Sequence, residues 1–359
     1  MVKWIRLVNP DIKVDIINTK YNTNKEIPEH YNEIYNYSIS EKLNLTPFFG
    51  KAAHIRNIKK LIRQNPNIYD AVHFHFARTI YTSLIHELRK ITDKIILTVW
   101  GSDFNAASSH TKKHLRKLFS RVDIISLSNE SMMDNFLNYY KWSNDDEKFK
   151  IVRFGLEPLE YLKKNKTVKT CKEEFGLPED HIVISLGYNG SQNQQHLKII
   201  NALNASKDLQ VWKNKLFFVV PVTYGASKEY LLELEMALAE FDFPCILFKK
   251  FLSEKEIACL RLHTDIMIQL QQNDQFSGSM QEHLYAGGVV ITGSWLPYSP
   301  LTKAGIYLKS IDRVEEVGDE LYNVLLNLKA EKERCMKNRE LIYHLSSWKN
   351  NVEKWIELY

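Results

Sequence analysis

The chain has 359 residues, 44% of them hydrophobic and 25% charged, with 48 basic and 43 acidic side chains for a formal charge of +5. This composition excludes wholesale disorder and collagen-like or coiled-coil architecture, and at roughly 150 residues per domain the length suggests two domains. The excess charge is small for a nucleic-acid binder and lies in the first half: up to Glu160 there are 24 basic against 18 acidic residues, and thereafter 24 against 25.

The opening stretch, MVKWIRLVNPDIKVDIINTK, has no unbroken apolar run and does not read as a secretory signal. Residues 1–7 look helical and 13–17 look like a strand. An α/β domain normally opens on a strand, so either that first strand is absent or the opening is misread. Strands are expected at 71–76, 95–99, 124–128 and 150–153, with helices at 54–64, 79–90 and 110–120 between them. A polar, lysine-rich stretch at 160–168 reads as a linker or insertion. Alternation then restarts, with strands at 182–186, 216–221, 245–248, 266–270 and 289–292. Helices at 195–205, 228–241, 254–262 and 279–285 lie between them, and 314–328 and 332–359 read as helical. In the last stretch Trp348, Val352, Trp355 and Ile356 fall on one helical face. The expected organisation is two α/β domains in tandem, residues 1–160 and 161–340, with 341–359 returning to the first. No run of about 18 apolar residues is present, so no membrane span is expected. Cys171, Cys245, Cys259 and Cys335 lack the spacing of zinc ligands or a redox dithiol, and read as reduced thiols of a cytoplasmic protein.

Residues 274–293, DQFSGSMQEHLYAGGVVITG, carry the densest chemistry. Asp274 lies in a loop, and Ser277, Gly278 and Ser279 open a helix whose free N–H groups suit a phosphate. Glu282, eight residues after Asp274, can accept ribose hydroxyls, although Ser279 with Glu282 is equally a capping box. In residues 96–104, ILTVWGSDF, Asp103 lies just beyond a strand's carboxyl end, where open α/β sheets bind ligands; it is a candidate base or a helix cap. His73 and His75 alternate along one strand and are either acceptor contacts with Trp100 or structural histidines. Gly187, Asn189, Gly190 and Ser191 form a loop ahead of a helix that can hold phosphate, helped by Gln194, His196, Lys249 or Lys250. Tyr224 beside Gly225 can stack a base or serve as an aromatic wall. Residues 110–121, HTKKHLRKLFSR, place Lys112, Lys113, Arg116, Lys117 and Arg121 around an amphipathic helix, either a solvated face or a surface for anionic lipid.

The segment EHLYAGGVVI, 282–291, resembles the E-A-M-A-x-G-x-P-V-I stretch of the two-domain (GT-B) glycosyltransferases of family four, with Asp274 where those enzymes carry Glu. A wider resemblance is to the TDP-N-acetylfucosamine:lipid II N-acetylfucosaminyltransferases. It rests on VHFHFARTIY (72–81), ILTVWGSDF (96–104), VVPVTYGASKEY (219–230) and the stretch 252–270. These resemblances imply an α/β GT-B fold of two Rossmann-like domains facing across a cleft. They imply a nucleotide-diphosphate sugar as donor substrate in the second domain, with Glu282 on the donor ribose and Asp274 by the donor sugar. The acceptor implied is a polyprenyl-diphosphate-linked saccharide, handled by an enzyme peripheral to the inner membrane face in surface polysaccharide synthesis. The chain lacks Asp-x-Asp, and no cofactor, metal or nucleic acid is expected. Departures at Trp100, Asn189 and Gln194, where family four carries His, Arg and Lys, keep two other readings open: a non-catalytic nucleotide-sugar-binding or scaffold protein, and a nucleotide-sugar epimerase.

Overall fold

Alternating apolar strands and amphipathic helices build a four-stranded and a six-stranded parallel sheet, beside a separate two-stranded parallel pair. The computed structural model describes residues 1–17, 30–35, 47–145, 147–164, 172, 175–274 and 277–359. The chain divides into Met1–Gly155 with Trp348–Tyr359 as one unit and Leu156–Ser347 as the other.

In the first unit β1 (Asp15–Ile17) pairs in parallel with β2 (Glu33–Tyr35). Strands β3 (Val72–His75), β4 (Ile95–Thr98), β5 (Ile124–Leu127) and β6 (Phe149–Ile151) form a parallel sheet in that order. Side chains alternate across it, as the pleat requires. Ile95 and Leu97 enter a core with Leu115, Phe119 and Phe136 from the helices Ser109–Phe119 and Glu130–Tyr140. Ile96 points to the other face, where Ile5, Val152, Trp348, Val352 and Trp355 cover it. The helix Trp348–Ile356 therefore supplies half of one core layer, with both tryptophans about 1% exposed.

The second unit holds β7 (Ile182–Leu186), β8 (Leu216–Pro221), β9 (Cys245–Phe248), β10 (Ile266–Gln269), β11 (Val289–Gly293) and β12 (Lys309–Ile311). All are parallel, in the order β12-β11-β10-β7-β8-β9. The chain winds outward from β7 on one side and from β10 on the other, a doubly wound sheet whose order reverses between them. That reversal leaves a crevice at the carboxyl ends of β7 and β10.

Several expectations need correcting. The division falls after Gly155, because the stretch read as a linker begins as a helix, Glu157–Lys164, whose Leu159 and Leu162 are buried in the second unit. Residues 165–168 of that stretch, and Cys171, lie outside the described residues. The terminal helix expected from 341 is two helices in different units, Asn338–Ser346 and Trp348–Ile356, broken at Ser347, which is extended (φ −78°, ψ 147°). The helix expected at 79–90 is a 3-10 turn, Thr79–Ser83, and a short helix, Ile85–Leu88. Strands β2 and β12 were not anticipated, since each is three residues of mixed polarity. Cys245 and Cys335 carry free thiols, but Cys259 is disulfide-bonded, so the expectation of reduced thiols fails there. Among the described residues no helix is long and apolar enough to cross a membrane.

Candidate functional site

The crevice at the β7–β10 reversal is where the topology predicts a ligand, and its two walls are tied together. After β7, Gly187 takes φ +63°, and its N–H donates to Ile268 O at 2.9 Å. The loop then closes on the one after β8, with Gly190 N–H on Tyr224 O at 2.7 Å. A Cβ on Gly190 would lie 2.6 Å from the Ala226 methyl, so this close approach needs glycine. Asn189 Oδ1 accepts from Ser191 N–H at 2.9 Å and Ser191 Oγ from Asn193 N–H at 3.3 Å, which tightens the loop.

Asn193 spans the crevice. Its Nδ2 donates to Gln271 Oε1 (2.7 Å) and Asn273 O (2.9 Å), and its Oδ1 accepts from Asn273 N–H (3.2 Å). Sequence reasoning missed Asn193; the signal was the amide run Gln192–Gln195 facing a second one, QLQQN, that starts on the last residue of β10. Gln194 is 1% exposed, and neither polar atom of its side chain has a hydrogen-bond partner among the described residues. His196 is buried, with Nδ1 3.2 Å from Tyr230 Oη, and burial lowers its pKa to about 4. It is neutral at pH 7 and supplies no cation for a phosphate.

Across the crevice Asp274 is held in place. Its Oδ2 accepts from Ser277 N–H at 2.9 Å and from the Tyr298 hydroxyl. Burial raises the pKa of Tyr188 to about 12 with help from the Asp274 charge, and Gln271 Nε2 donates to the Tyr188 hydroxyl at 3.3 Å. Tyr298, 3% exposed, is raised further by the same two causes. Two protonated phenols thus flank a half-buried carboxylate. Ser277 caps the helix Gly278–Ala286 by accepting from Met280 N–H, and Ser279 lies in that helix's first turn.

Glu282 has a partner that its spacing does not foretell. It is buried and paired with Arg261 on the helix Glu254–His263, Oε2 to Nε 3.4 Å. Burial raises its pKa, with Arg261 opposing. The pair engages Oε2, and Oε1 has no hydrogen-bond partner among the described residues, so one carboxylate oxygen stays open to a hydroxyl donor. The helix is capped by Ser277, not by the expected Ser279–Glu282 box. Arg261 was legible as the one charge within the apolar run ACLRL, residues 258–262. Farther out, Tyr224 and Phe251 are 51% and 69% exposed, with ring centres 6.4 Å apart beyond β8 and β9. Lys250 is exposed beside Phe251, and Lys249 is engaged by Glu235.

In the first unit Asp103 is 5% exposed. Its Oδ2 accepts from Ala77 N–H (2.6 Å), and Oδ1 accepts from Trp100 N–H (2.9 Å) and Gly101 N–H (3.0 Å). With both oxygens committed to backbone it is a clamp between two loops, and no longer a candidate base. His73 uses both ring nitrogens, Nδ1 on Tyr359 Oη (2.8 Å) and Nε2 on Thr98 Oγ1 (2.7 Å), and stacks on His75 at 4.2 Å. It is structural. Trp100 remains 40% exposed. On the helix Ser109–Phe119, Lys112 lies over the Phe104 and Tyr139 rings, and Arg116 over Tyr140 and Trp142 with Nη1 on Tyr140 O. Lys113, Lys117 and Arg121 form no ion pair among the described residues. No cluster of three or more His, Cys, Asp or Glu side chains among the described residues is placed to hold a metal ion.

Residues 1–129 match the family model described as "Glycosyl transferase 4-like", about a third of the chain. Comparison with curated proteins gives no match. Solved structures match over nearly the whole length. A glycosyltransferase from Rickettsia africae ESF-5 has TM-score 0.73 at 15% identity, covering 100% of this chain and 93% of its own. A sucrose-phosphate synthase from Thermosynechococcus elongatus has TM-score 0.70 at 14% identity, covering 98% and 90%. An α,α-trehalose-phosphate synthase (UDP-forming) from Burkholderia xenovorans, in complex with glucose-6-phosphate, has TM-score 0.69 at 10% identity, covering 96% and 90%. At such identities the likeness establishes the fold, and the chain has the α/β GT-B fold of these glycosyltransferases.

Proposed function

We propose that the protein is a glycosyltransferase that takes a sugar from a nucleotide-diphosphate donor bound at the β7–β10 crevice. The observation that carries this reading is the strand-order reversal with polar, cross-tied loops at its carboxyl end, in a chain whose first third matches a glycosyltransferase family model. The N–H groups opening the helix Gly278–Ala286 suit the donor's phosphates. The buried Gln194 amide supplies a donor and an acceptor in place of a cationic side chain. Tyr224 and Phe251 suit the base. Asp274, fixed by Ser277 and Tyr298, steadies the donor sugar.

In the transfer the acceptor hydroxyl oxygen bonds to the anomeric carbon while the bond from that carbon to the diphosphate oxygen breaks. The diphosphate leaves with the electron pair and takes the hydroxyl proton, being the strongest base the step creates. Hydrogen-bond donors aimed at the leaving diphosphate are the largest catalytic contribution in this scheme. The relatives' sugar-phosphate chemistry supports a saccharide or sugar-phosphate acceptor. A polyprenyl-diphosphate-linked saccharide remains our finer proposal, with Lys113, Lys117 and Arg121 toward an anionic lipid surface.

The test is thermal stabilisation by UDP-, TDP- and GDP-sugars followed by donor hydrolysis, wild type against Asp274→Asn. At a hundredfold excess over Kd a ligand adds about 2.7 kcal/mol, which raises Tm by ~5–10 °C for a unit of this size. Stabilisation with hydrolysis that is lost in Asp274→Asn supports the enzyme. Stabilisation without turnover in either protein favours the second reading, a nucleotide-sugar-binding protein without transfer. The commitment of both Asp103 oxygens to backbone N–H groups speaks for that alternative.

A further inference from the structure

Three large aromatic side chains of the first unit stand open where its strands end. Phe76 follows β3, Trp100 follows β4 and Phe154 comes shortly after β6, and they are 42%, 40% and 37% exposed. The buried aromatics of that sheet's cores, among them Phe74, Phe119, Phe136, Phe149, Trp348 and Trp355, are at most 9% exposed. Rings left open together at the carboxyl edge of a parallel sheet mark a ligand surface better than a packing fault.

The surface is also rigid. Trp100 and Phe154 meet at 5.1 Å with their planes inclined by 59°, forming an apolar corner. His75 backs Trp100 at 6.0 Å, and Phe154 rests edge-on against Trp348 (4.6 Å) and Trp355 (5.9 Å). The Asp103 carboxylate ties Ala77 to Trp100 and Gly101, so the loops carrying Phe76 and Trp100 move as one. Phe76 itself has φ +74°, a left-handed conformation that a bulky side chain adopts only when its surroundings impose it, and such positions gather at ligand sites. Exposed hydrogen-bonding residues lie two positions beyond two of the rings, Arg78 after Phe76 and Ser102 after Trp100.

We propose that Trp100 and Phe154, with Phe76 on the adjoining loop, form a stacking platform for a pyranose ring of the acceptor. The C–H groups on one face of a pyranose are apolar and carry slight positive charge, which suits the negative face of an indole or phenyl ring. The equatorial hydroxyls point outward to a polar rim. A lipid chain or an apolar helix would need a longer apolar groove without that rim. This inference rests on the glycosyltransferase reading for the word acceptor, and on the first unit alone for the platform. It gives Asp103 a place as a positioning residue and Trp100 a definite partner.

Saturation-transfer NMR on the full chain tests it, with maltose, cellobiose and N,N′-diacetylchitobiose as probes. Transfer is expected to the C–H protons of one pyranose face for at least one probe. It should fall about fivefold or more in Trp100→Ala and in Phe154→Leu, return in Trp100→Phe, and be unchanged in Leu232→Ser, which alters an exposed apolar residue of the other unit. Far-UV circular dichroism confirms that each variant is folded. Equal transfer in wild type and folded Trp100→Ala overturns the platform, as does no transfer to any of the three sugars in wild type. The readout needs no donor. Saturation transfer to a sugar probe without stabilisation by any nucleotide sugar would leave the platform and defeat the donor reading, and the reverse result would defeat the platform alone.

Discussion

Asp103 and Glu282 show how a carboxylate in the right segment can be structural. Removing the Asp103 side chain leaves two buried N–H groups, of Ala77 and Gly101, and the half-buried N–H of Trp100 without their acceptor, at ~1–3 kcal/mol for each buried one and not additively. Asp103→Ala is therefore expected to lower the stability of the first unit by ~2–4 kcal/mol, read as a drop in urea midpoint. A general base would show the opposite pattern, normal stability with lost turnover. Breaking the Arg261–Glu282 pair should cost ~3–5 kcal/mol in Glu282→Ala, because Arg261 is left buried and uncompensated. The double change Glu282→Leu with Arg261→Met should recover most of that loss in the same unfolding measurement; no recovery would mean the pair is not the reason Glu282 is held. Neither partnership could be read from spacing. The sequence shows that Asp103 follows a strand and that Glu282 lies eight residues after Asp274, but a carboxylate's lone pairs are claimed by whichever donors the tertiary fold brings near. What the sequence did show was chemical type: Asp274, which stays half-exposed, and the glycine-bearing loop after β7 both lie at the crevice.

The histidines turn burial into pH dependence at the scale of elements. His75 on β3 has its pKa lowered by burial from 6.5 to about 4, and His73 beside it is lowered well below its ordinary value by burial and the His75 ring. Each is neutral in the fold, while the unfolded chain takes up protons below pH 6.5. The stability they contribute is fully present above about pH 6.5 and is lost as pH falls from 6.5 toward 4, on the order of 3 kcal/mol for His75 alone. Thermal melts of the first unit should shift downward across that window, and His75→Phe should flatten the dependence; a flat wild-type profile would count against the burial argument. Long strands were legible to within a residue or two, β7, β8 and β9 to the residue, because continuous apolar runs bounded by turns have few alternatives. β2 and β12 were not, since three-residue strands acquire their identity from their neighbours. The loop after β7 makes a sharper case. In Gly190→Ala the new methyl meets Ala226 at 2.6 Å, so the β7 and β8 loops must part. Nucleotide-sugar stabilisation should be lost with only ~1–3 kcal/mol of destabilisation, and Ala226→Gly in the same chain should restore part of both.

At the scale of the whole molecule, the last helix decides whether the first unit has a complete core. The sheet β3-β4-β5-β6 is covered on one face by helices that precede or follow its own strands, but its other face depends on the helices Val2–Val8 and Trp348–Ile356. The chain leaves the first unit after Gly155, builds a full six-stranded sheet, and returns at Trp348 to close the first. Its amphipathic pattern of Trp348, Val352 and Trp355 was visible in the sequence; the break at Ser347 was not, because Ser carries no strong stop signal and the preceding turn continues the same periodicity. Without residues 348–359 the face bearing Ile5, Ile96 and Val152 meets water, and His73 loses the Tyr359 hydroxyl. Losing two buried tryptophans at ~3–5 kcal/mol each approaches the whole stability of a domain. The expected outcome is selective. A chain ending at Ser347 should lose protection against hydrogen exchange across β3–β6 while β7, β8 and β10 stay protected. Retained protection in β3–β6 would mean the first unit does not need its terminal helix. Saturation transfer to the sugar probes should vanish with that protection, because Phe154 rests on Trp348 and Trp355, whereas stabilisation by a nucleotide sugar should persist if the donor crevice belongs to the second unit alone.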